Sequence, residues 1–363
     1  MKVKVIICML TQYNFCYNIN YLYLVFNYKH GKTCKKMNLP KISVNIPLIE
    51  NGSAEIVLDS LKKVDYPARL FEIIIIKGNN LAKQRNEGVK NSKCEIIYLL
   101  DDDSQVQPNS FITIAKEFQD MNVAVVGGPT LPPKNGNYIN QLMGYILETY
   151  FGAFRMRYKW SKQPNSSNTI DYQFIAANLA IRKEAVLEIG GFDERFYPSE
   201  ETDLVRRIKN KGYKVKYSDK LIVFQNHKRK NSYLISERFF HYGEGRMRQI
   251  LKNPIKEDFI FILPIGFSLY LLSLVFFNPF WYFLPIVIYL ILGLLTSLKA
   301  ALKYKKYSLI FLMTVIYPIV HLSYAMGLIN GFIINFRKYK YYQSSNIKTR
   351  LIIIKVLNEV FFH

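Results

Sequence analysis

Residues 96–104 read Ile-Ile-Tyr-Leu-Leu-Asp-Asp-Asp-Ser, and this stretch decides the fold. Five apolar residues in succession are typical of a strand buried on both faces, as in a parallel sheet. The carboxylates Asp101, Asp102 and Asp103 follow at the strand end, where open α/β sheets place their ligand crevice. Like charges held this close repel each other, so a divalent cation that carries phosphate groups is the expected occupant. An acidic turn that only caps a strand is the alternative.

Strand and helix patterns alternate around this stretch. Apolar runs of strand type and apolar residues at helical spacing alternate in five segments, residues 42–46, 53–64, 71–76, 81–89 and 95–100. In this interpretation Pro47 ends the first strand. The alternation predicts an α/β fold that contains a parallel sheet with crossover helices. The three aspartates would then lie at the C-terminal edge of that sheet.

Composition limits the class of protein. The 363 residues can hold one sizeable soluble domain and a further region, since a single core of this length usually splits. The formal charge of +22 indicates contact with polyanions or an anionic membrane surface. Nucleic acid is not an expected partner, because the basic residues form no nucleic-acid motif. The four cysteines form no Cys-x-x-Cys pair and no metal-ligand spacing with the five histidines.

Several short motifs occur in one order along residues 41–249, and together they resemble a family 2 glycosyltransferase of the GT-A fold. They are Ile-Ser-Val-Asn-Ile-Pro at 42–47, Asp-Tyr-Pro at 65–67, Glu-Ile-Ile-Ile-Ile at 72–76, Gln-Arg-Asn-Glu-Gly at 84–88, Leu-Asp-Asp-Asp at 100–103, Ala-Asn-Leu-Ala-Ile-Arg at 177–182, Gly-Gly-Phe-Asp-Glu at 190–194 and Glu-Glu-Thr-Asp-Leu at 200–204. The resemblance implies a catalytic domain with a Rossmann-like mixed sheet. It also implies a UDP-sugar or a GDP-sugar as donor.

For the metal, the resemblance implies Mn²⁺ or Mg²⁺ at the Asp-x-Asp pattern. Asp103 is the predicted metal-facing carboxylate, and Asp101 is predicted near the donor's ribose or the water shell of the metal. Asp102 is the intervening residue, for which a solvated turn is expected. His227, in Gln-Asn-His-Lys-Arg at 225–229, resembles the family histidine that approaches the metal or the diphosphate. A structural histidine after a strand is the alternative.

The resemblance assigns donor contacts to six residues, Pro47, Glu50, Lys83, Arg85, Asp101 and Asn178. For the two basic residues, a solvated helix face is the alternative. Relatives commonly carry Asp-Asp-Gly-Ser after the second strand, whereas residues 77–80 read Lys-Gly-Asn-Asn. An acidic contact to the nucleobase is therefore missing, and the choice between uridine and guanosine stays open.

The candidate catalytic base lies about a hundred residues after the aspartates. Family members usually show Glu-Asp there, and this chain has Glu200 and Glu201. Glu201 aligns with the base of the family, and Glu200 is its rival. The alternative is a helix start, because Glu-Glu-Thr-Asp at 200–203 suits the positive end of a helix dipole. That position lowers the pKa of a carboxylate, which works against its strength as a base.

The chain divides into four predicted segments, an unassigned extension (1–40), a GT-A domain (41–250), a transmembrane region (259–336) and a basic tail (337–363). Residues 259–298 contain no charged residue and predict two membrane helices with a turn at Asn278-Pro279. Residues 307–336 form a third apolar run. The lysines between these runs predict a cytoplasmic loop, and a single third span would place the basic tail outside. Pro318 is therefore predicted to divide the third run into a re-entrant or interfacial pair.

Two further features bear on the acceptor. The aromatic-rich residues 136–167 predict an acceptor-binding region, an interfacial surface or an ordinary helix that packs on the sheet. Membrane-bound relatives that polymerise sugars usually carry Gln-x-x-Arg-Trp before the first span. That motif is absent, because the only tryptophans are Trp160 and Trp281. Addition of one sugar at a time is therefore favoured over polymerisation.

Taken with the resemblance, these features predict an inverting, metal-dependent glycosyltransferase in the cell membrane. The expected arrangement is multi-pass, with the catalytic domain on the cytoplasmic side and in contact with membrane lipid. A polyprenyl-phosphate-linked or glycan acceptor is expected. A sugar nucleotidyltransferase and a catalytically inactive membrane-bound scaffold are the alternative classes.

Overall fold

The computed structural model describes residues 38–133, 138–164, 169–194, 199–225, 235–277, 279–338 and 352–356. Its strands are β1 (Ile42–Leu48), β2 (Phe71–Lys77), β3 (Ile96–Leu100), β4 (Ser104–Val106), β5 (Val123–Gly127), β6 (Thr130–Leu131), β7 (Asn178–Arg182), β8 (Lys214–Tyr217), β9 (Val223–Gln225) and β10 (Ile352–Val356). Its α-helices are α1 (Glu55–Leu61), α2 (Leu81–Asn91), α3 (Ser110–Glu117), α4 (Tyr138–Leu147), α5 (Tyr150–Ala153), α6 (Lys183–Glu188), α7 (Glu200–Asn210), α8 (Ile235–Lys252), α9 (Leu263–Ser273), α10 (Leu284–Tyr304) and α11 (Ser308–Lys338). Two 3₁₀ helices, Phe154–Lys159 and Lys256–Ile262, adjoin the site described below.

Seven strands form one mixed sheet in the order β10-β2-β1-β3-β7-β5-β8. β1 pairs in parallel with β2 and β3, as the alternation of strand and helix predicted. β7 runs antiparallel to both β3 and β5, which makes the sheet mixed. Three short strands form a second sheet in the order β4-β9-β6. The predicted α/β fold with a mixed sheet is confirmed.

β3 is buried on both faces, as its unbroken apolar sequence predicted. Ile96, Tyr98 and Leu100 belong to one hydrophobic cluster, with residues of α1 and α3. Ile97 and Leu99 belong to a second cluster, with residues of α6 and α7. Successive side chains of a strand point to opposite faces, and each fully buried aliphatic side chain contributes about 1.5–3 kcal/mol. This double burial fixes the end of β3, and with it the position of the aspartates.

The prediction that Pro47 ends the first strand is wrong. β1 continues to Leu48, and Pro47 pairs with Ile76 of β2. The pairing between β1 and β3 stops at Asn45, so Pro47 lies where β1 has a neighbour on one side only. Proline is tolerated at such a position because it lacks only a backbone donor.

A layer of helices packs beside the sheet and holds a third hydrophobic cluster. Its centre is the contact between α8 and α11, where glycines allow the two backbones to approach. A Cβ atom at Gly327 would lie 1.9 Å from the carbonyl oxygen of Phe240, and one at Gly243 would lie 2.2 Å from that of Tyr324. Larger residues at these two glycines would force the helices apart.

The apolar C-terminal part differs from its prediction. Within the described residues, two helices are long and apolar enough to cross a membrane, Phe280–Tyr304 and Ser308–Asn335. The first predicted span forms a 3₁₀ helix and then α9, whose 11 residues cover about 16 Å of the roughly 30 Å hydrocarbon core. α11 runs through Pro318 as one helix of 31 residues, so the prediction that Pro318 divides this run is wrong.

Both ends of the α10–α11 hairpin contact the domain that carries the sheet. At the turn, Lys303 forms an ion pair with Glu148, and Lys306 Nζ donates a hydrogen bond to Gln141 Oε1 at 3.0 Å. Towards the other end, Asn330 donates a hydrogen bond to Glu244 of α8. Beyond the hairpin, β10 joins the edge of the sheet beside β2, although it lies in the predicted tail.

Candidate active site

Two aspartates at the end of β3 converge on one amide group. Gln225 Nε2 donates hydrogen bonds to Asp101 Oδ2 at 3.0 Å and to Asp103 Oδ1 at 2.9 Å. Gln225 reaches them because β9 pairs with β4, with Gln225 opposite Ser104. The sequence analysis did not identify Gln225 as a site residue. The only feature of the sequence that pointed to Gln225 was its position two residues before His227. His227 itself lies outside the described residues.

The two carboxylates repel each other at this point. Burial raises the pKa of Asp103 to about 7, the charge of Asp101 adds to the rise, and the hydrogen bond from Gln225 opposes it. A cation placed between the carboxylates would remove this repulsion.

Arg85 connects the aspartates with the predicted base. It lies on α2 with only 3% of its surface exposed. Its guanidinium forms an ion pair with Glu200, and its Nη2 atom lies 3.5 Å from Asp101 Oδ1. The structure therefore brings the two predicted acidic groups together around one buried cation.

Glu200 and Glu201 form the first turn of α7, so the helix-start interpretation is confirmed. Ser199, directly before them, has φ of 83°, in the left-handed region. Lys159, from the 3₁₀ helix Phe154–Lys159, donates a hydrogen bond from Nζ to Glu201 Oε1 at 3.0 Å. Sequence reasoning did not single out Lys159, although it lies inside the aromatic-rich segment 136–167.

The two glutamates have opposite electrostatic surroundings. Burial raises the pKa of Glu200; Arg85 opposes the rise, and repulsion from Glu201 adds to it. Burial acts in the same direction on Glu201, but the charges of Lys159 and Arg85 outweigh it, so the pKa of Glu201 is lowered. These surroundings therefore favour the ionised form of Glu201 more than that of Glu200.

These charged groups line a cavity of about 150 Å³, here called the carboxylate cavity. Its charged lining consists of Arg85, Asp101, Lys159, Glu200, Glu201 and Arg246. Met156, Trp160 and Tyr242 form an apolar wall on one side. The aromatic-rich segment thus supplies part of the cavity wall through Met156, Lys159 and Trp160, and it also packs against α11.

Four predicted donor contacts are not among the residues that line this cavity, Pro47, Glu50, Lys83 and Asn178. The Asn178 side-chain amide already makes three hydrogen bonds inside the protein. Its Nδ2 atom donates to the carbonyl oxygens of Pro129 and Leu221, and its Oδ1 atom accepts from the Tyr98 hydroxyl. The geometry therefore gives Asn178 a structural part in place of the predicted donor contact. Pro47 is buried in β1, and Glu50 lies in the exposed turn after it.

The residues at the end of β3 fit a divalent cation. Within the part of the chain that the structure describes, no three His, Cys, Asp or Glu side chains cluster as metal ligands. Two carboxylates that converge on one point are nevertheless a usual protein contribution to a Mg²⁺ site, where phosphates and waters complete the shell. Asp101 and Asp103 are such a pair, and Gln225 occupies the point between them.

These charged groups lie at the carboxyl end of β3, where open α/β sheets bind their ligands. The profile described as "Glycosyl transferase family group 2" matches residues 96–333. The chain therefore belongs to this family of enzymes, which transfer a sugar from a nucleotide sugar. A profile of a protein family of unknown function also matches residues 39–140. Comparison with the sequences of curated proteins found no match.

Two solved structures are similar to this chain at low sequence identity. The mannosyltransferase PcManGT from Pyrobaculum calidifontis, in complex with GDP-Man and Mn²⁺, is 14% identical with a TM-score of 0.50, over 81% of this chain and 87% of that one. Residues 1–349 of S. aureus TarS, in complex with UDP-GlcNAc, are 13% identical with a TM-score of 0.43, over 83% of this chain and 93% of that one. The likeness to the mannosyltransferase confirms the GT-A-like fold.

Proposed function

We propose that this chain is an inverting, divalent-metal-dependent glycosyltransferase that moves a sugar from a nucleotide-diphosphate sugar to a lipid-linked or glycan acceptor. The observation that carries the proposal is that Asp101, Glu200 and Glu201 line one cavity, while Asp103 shares the Gln225 amide with Asp101. Asp101 and Asp103 lie on one side, Glu200 and Glu201 lie on the other, and Arg85 lies between them. Sugar transfer requires charge relief on the leaving diphosphate and a base for the incoming hydroxyl, held in fixed geometry.

Asp101 and Asp103 are the residues that would hold Mn²⁺ or Mg²⁺, with the diphosphate and water as further ligands. When bound, the cation stabilises the charge that develops on the diphosphate oxygens. Arg85 lies beside Asp101 and is placed to contact the same diphosphate, because a guanidinium presents several donors to phosphate oxygens. The mannosyltransferase with this fold binds GDP-Man with Mn²⁺, so guanosine- and uridine-diphosphate sugars are the candidate donors.

Glu201 is the proposed catalytic base. Its side chain is 11% exposed towards the cavity, against 5% for Glu200, and Glu200 is held by Arg85 on the donor side. In a single displacement, the acceptor oxygen bonds to the anomeric carbon while the bond from that carbon to the diphosphate oxygen breaks. The hydroxyl proton passes to Glu201, the electron pair leaves with the diphosphate, and the configuration at the anomeric carbon is inverted.

Lys159 keeps Glu201 in the form that accepts a proton. A base with a lowered pKa is ionised at neutral pH but accepts the proton less strongly. The lysine ammonium also lies in the wall of the cavity, where it neutralises part of the charge of Glu201. The ion pair therefore sets the pH range of the reaction at some cost in base strength.

The acceptor is proposed to reach the site at the cytoplasmic face of the cell membrane. α9 and α10 expose many large apolar side chains, among them Leu269, Leu272, Leu290 and Leu295. The sequence predicted a multi-pass arrangement. Because both ends of the α10–α11 hairpin contact the catalytic domain, the geometry favours a hairpin that lies along the membrane surface with its apolar side in the lipid.

Donor binding tests the proposed function. Full-length protein in detergent is heated with and without Mn²⁺ against a panel of uridine- and guanosine-diphosphate sugars. A Mn²⁺-dependent rise in Tm with one donor is the expected result, and it would identify the nucleotide. Folded protein that shows no rise with any donor would contradict the proposal and favour an inactive scaffold.

A further inference from the structure

An apolar cavity of about 240 Å³ lies next to the carboxylate cavity. It is enclosed by α5, the two 3₁₀ helices, α8 and α11, with Phe151, Phe154, Phe239, Phe261 and Val320 in its wall. Met156, Trp160 and Tyr242 line both cavities. The rings of Trp160 and Tyr242 lie 5.6 Å apart, so one aromatic partition separates an apolar space from a charged one.

Arg246 lies at the boundary between the two cavities. It is 2% exposed and lines the carboxylate cavity, and its guanidinium lies 4.5 Å from the ring centre of Phe261, which lines the apolar one. Among the described residues its Nε and Nη1 atoms have no hydrogen-bond acceptor. An unsatisfied donor group this deeply buried is costly, and a phosphate is the ligand that a guanidinium binds best.

The nearest acidic group compensates Arg246 only in part. Asp258 Oδ1 lies 3.6 Å from Arg246 Nη1, but the same carboxylate accepts hydrogen bonds from Arg206 at 2.9 and 3.2 Å. Arg206 also binds Asp171. This buried network holds Arg246 in place, and the guanidinium of Arg246 keeps two donor atoms, Nε and Nη1, that make no hydrogen bond within the described residues.

The outer edge of the apolar cavity faces the proposed membrane side. Tyr150, Ile260 and Leu263 line the cavity and are 54%, 38% and 62% exposed. Leu263 begins α9, whose exposed leucines form part of the apolar surface described above. The cavity is smaller than the about 300–1,000 Å³ of sites for drug-sized ligands, so it suits a segment of one hydrocarbon chain.

We infer that the apolar cavity binds the start of the hydrocarbon chain of a single-chain, polyprenyl-type lipid phosphate, with the phosphate at Arg246 and the linked sugar in the carboxylate cavity. The placement of the sugar rests on the proposed function, and the placement of the chain and the phosphate does not. The carboxylate cavity, Arg246 and the apolar cavity adjoin in the order in which the sugar, phosphate and chain of such a lipid are joined. The aromatic partition would lie beside the link between the sugar and the chain.

Photolabelling of the full-length protein tests this inference directly. The probe is a polyprenyl phosphate with a diazirine near its phosphate, and the competitors are unlabelled polyprenyl phosphate, two-chain phosphatidic acid and inorganic phosphate. Labels on the cavity walls, displaced by polyprenyl phosphate alone, are expected. Labels only on the outer face of α10, or equal displacement by phosphatidic acid, would overturn the inference.

Matched variants separate the cavity from the general lipid surface. Val320→Phe fills the cavity, whereas Val315→Phe makes the same change at an exposed position of α11. Because the added ring would occupy the space of the hydrocarbon chain, labelling should fall about tenfold in the first variant and stay unchanged in the second. Equal labelling of both variants would contradict the inference. The Mn²⁺-dependent rise in Tm with donor should persist in both variants, which shows that they remain folded. Specific labelling of a wild-type protein that shows no such rise with any donor would count against the proposed function alone.

A second pair of variants tests the phosphate contact. The wild-type protein should be labelled better by polyprenyl phosphate than by the uncharged polyprenol analogue, and Arg246→Gln should remove this preference. Arg248→Gln, two residues along α8 and outside both cavity linings, is the control and should keep it. A preference that survives in Arg246→Gln would overturn the assignment of Arg246.

Discussion

The two cavities share three wall residues and yet are built in opposite ways. The charged residues of the carboxylate cavity come from the end of β3 and from four helices, α2, the 3₁₀ helix Phe154–Lys159, α7 and α8. Each of its acidic groups has a cation or an amide beside it. The apolar cavity is built from aromatic and aliphatic side chains of the C-terminal helices and the aromatic-rich segment. From this difference we infer that the groups at the sheet edge carry out the proposed chemistry, whereas the helical layer determines the side on which the proposed acceptor enters. Changes in the first should alter turnover and donor binding, and changes in the second should alter acceptor binding and stability.

The largest expected effect is on turnover. Glu201→Gln keeps the shape of the side chain and removes the base, so kcat should fall by about 10²–10⁴-fold while donor binding is unchanged. Glu200→Gln is the matched comparison, since it changes the adjacent carboxylate that Arg85 holds. Steady-state transfer of a radiolabelled sugar to extracted membrane lipids measures both. A Glu201→Gln enzyme with near-full activity, beside an inactive Glu200→Gln enzyme, would assign the base to Glu200.

The contact between α8 and α11 gives the next largest effect. A Cβ atom at Gly327 would lie 1.9 Å from the Phe240 carbonyl oxygen, so Gly327→Ala should cost about 1–3 kcal/mol and lower the Tm in detergent. Gly266→Ala in α9 is the control, because nothing lies within 4 Å of its added Cβ. It should leave the Tm unchanged or raise it slightly, since alanine favours helix over glycine. Equal Tm values for the two variants would contradict the described packing.

The position of the hairpin turn tests the membrane arrangement. Tyr307, between α10 and α11, is 71% exposed. In a variant with the native cysteines replaced, Tyr307→Cys should react with a membrane-impermeant thiol reagent from the cytoplasmic side only, because the adjacent Lys303 and Lys306 contact the catalytic domain. Reaction from the outside only would support a hairpin that spans the membrane.

The smallest expected effect is a shift in pH dependence. Lys159 lowers the pKa of Glu201 against the effect of burial, so Lys159→Met should raise that pKa. Glu201 must be ionised to accept the proton, so a larger protonated fraction moves the acidic limb of the kcat/KM profile to higher pH. Lys162→Met, at an exposed position three residues away, is the control and should leave the limb in place. An unmoved limb in the Lys159 variant would mean that the limb does not report the ionisation of Glu201.

The sequence predicted the parts of the site that follow from local pattern. The apolar run before Asp101 identified β3, because a strand buried on both faces needs successive apolar residues. The acidic residues at the start of α7 identified a helix, because the helix dipole favours negative charge at that end. No comparable local sequence pattern identified Gln225, Lys159 or Arg246 as site residues. Lys159 meets Glu201 across 42 residues of sequence, and only the packing of the 3₁₀ helix against α7 brings them together.

The errors in the C-terminal region have a related cause. Hydropathy predicted two membrane helices within residues 259–298. The second corresponds to the helix Phe280–Tyr304, which is long enough to cross a membrane, whereas the first is a 3₁₀ helix followed by the 11 residues of α9. An apolar segment that packs on a domain has the same composition as one that crosses a membrane. Pro318 was expected to break α11, yet its neighbours Tyr317 and Val320 are almost fully buried, and this packing holds the helix in one piece. In the first predicted span and at Pro318, tertiary contacts outweighed the structure that the local sequence favours.

The central claim is that one acidic pair serves the donor and the other serves the acceptor. Titration calorimetry of Mn²⁺ with the identified donor, on wild type, Asp103→Asn and Glu201→Gln, tests it most directly. Asp102→Asn is the matched control, because it removes the same charge one residue away. We expect Mn²⁺-dependent donor binding in wild type, Glu201→Gln and Asp102→Asn, and its loss in Asp103→Asn. Binding retained by Asp103→Asn, or lost equally in Asp103→Asn and Glu201→Gln, would contradict the division of the site into two pairs.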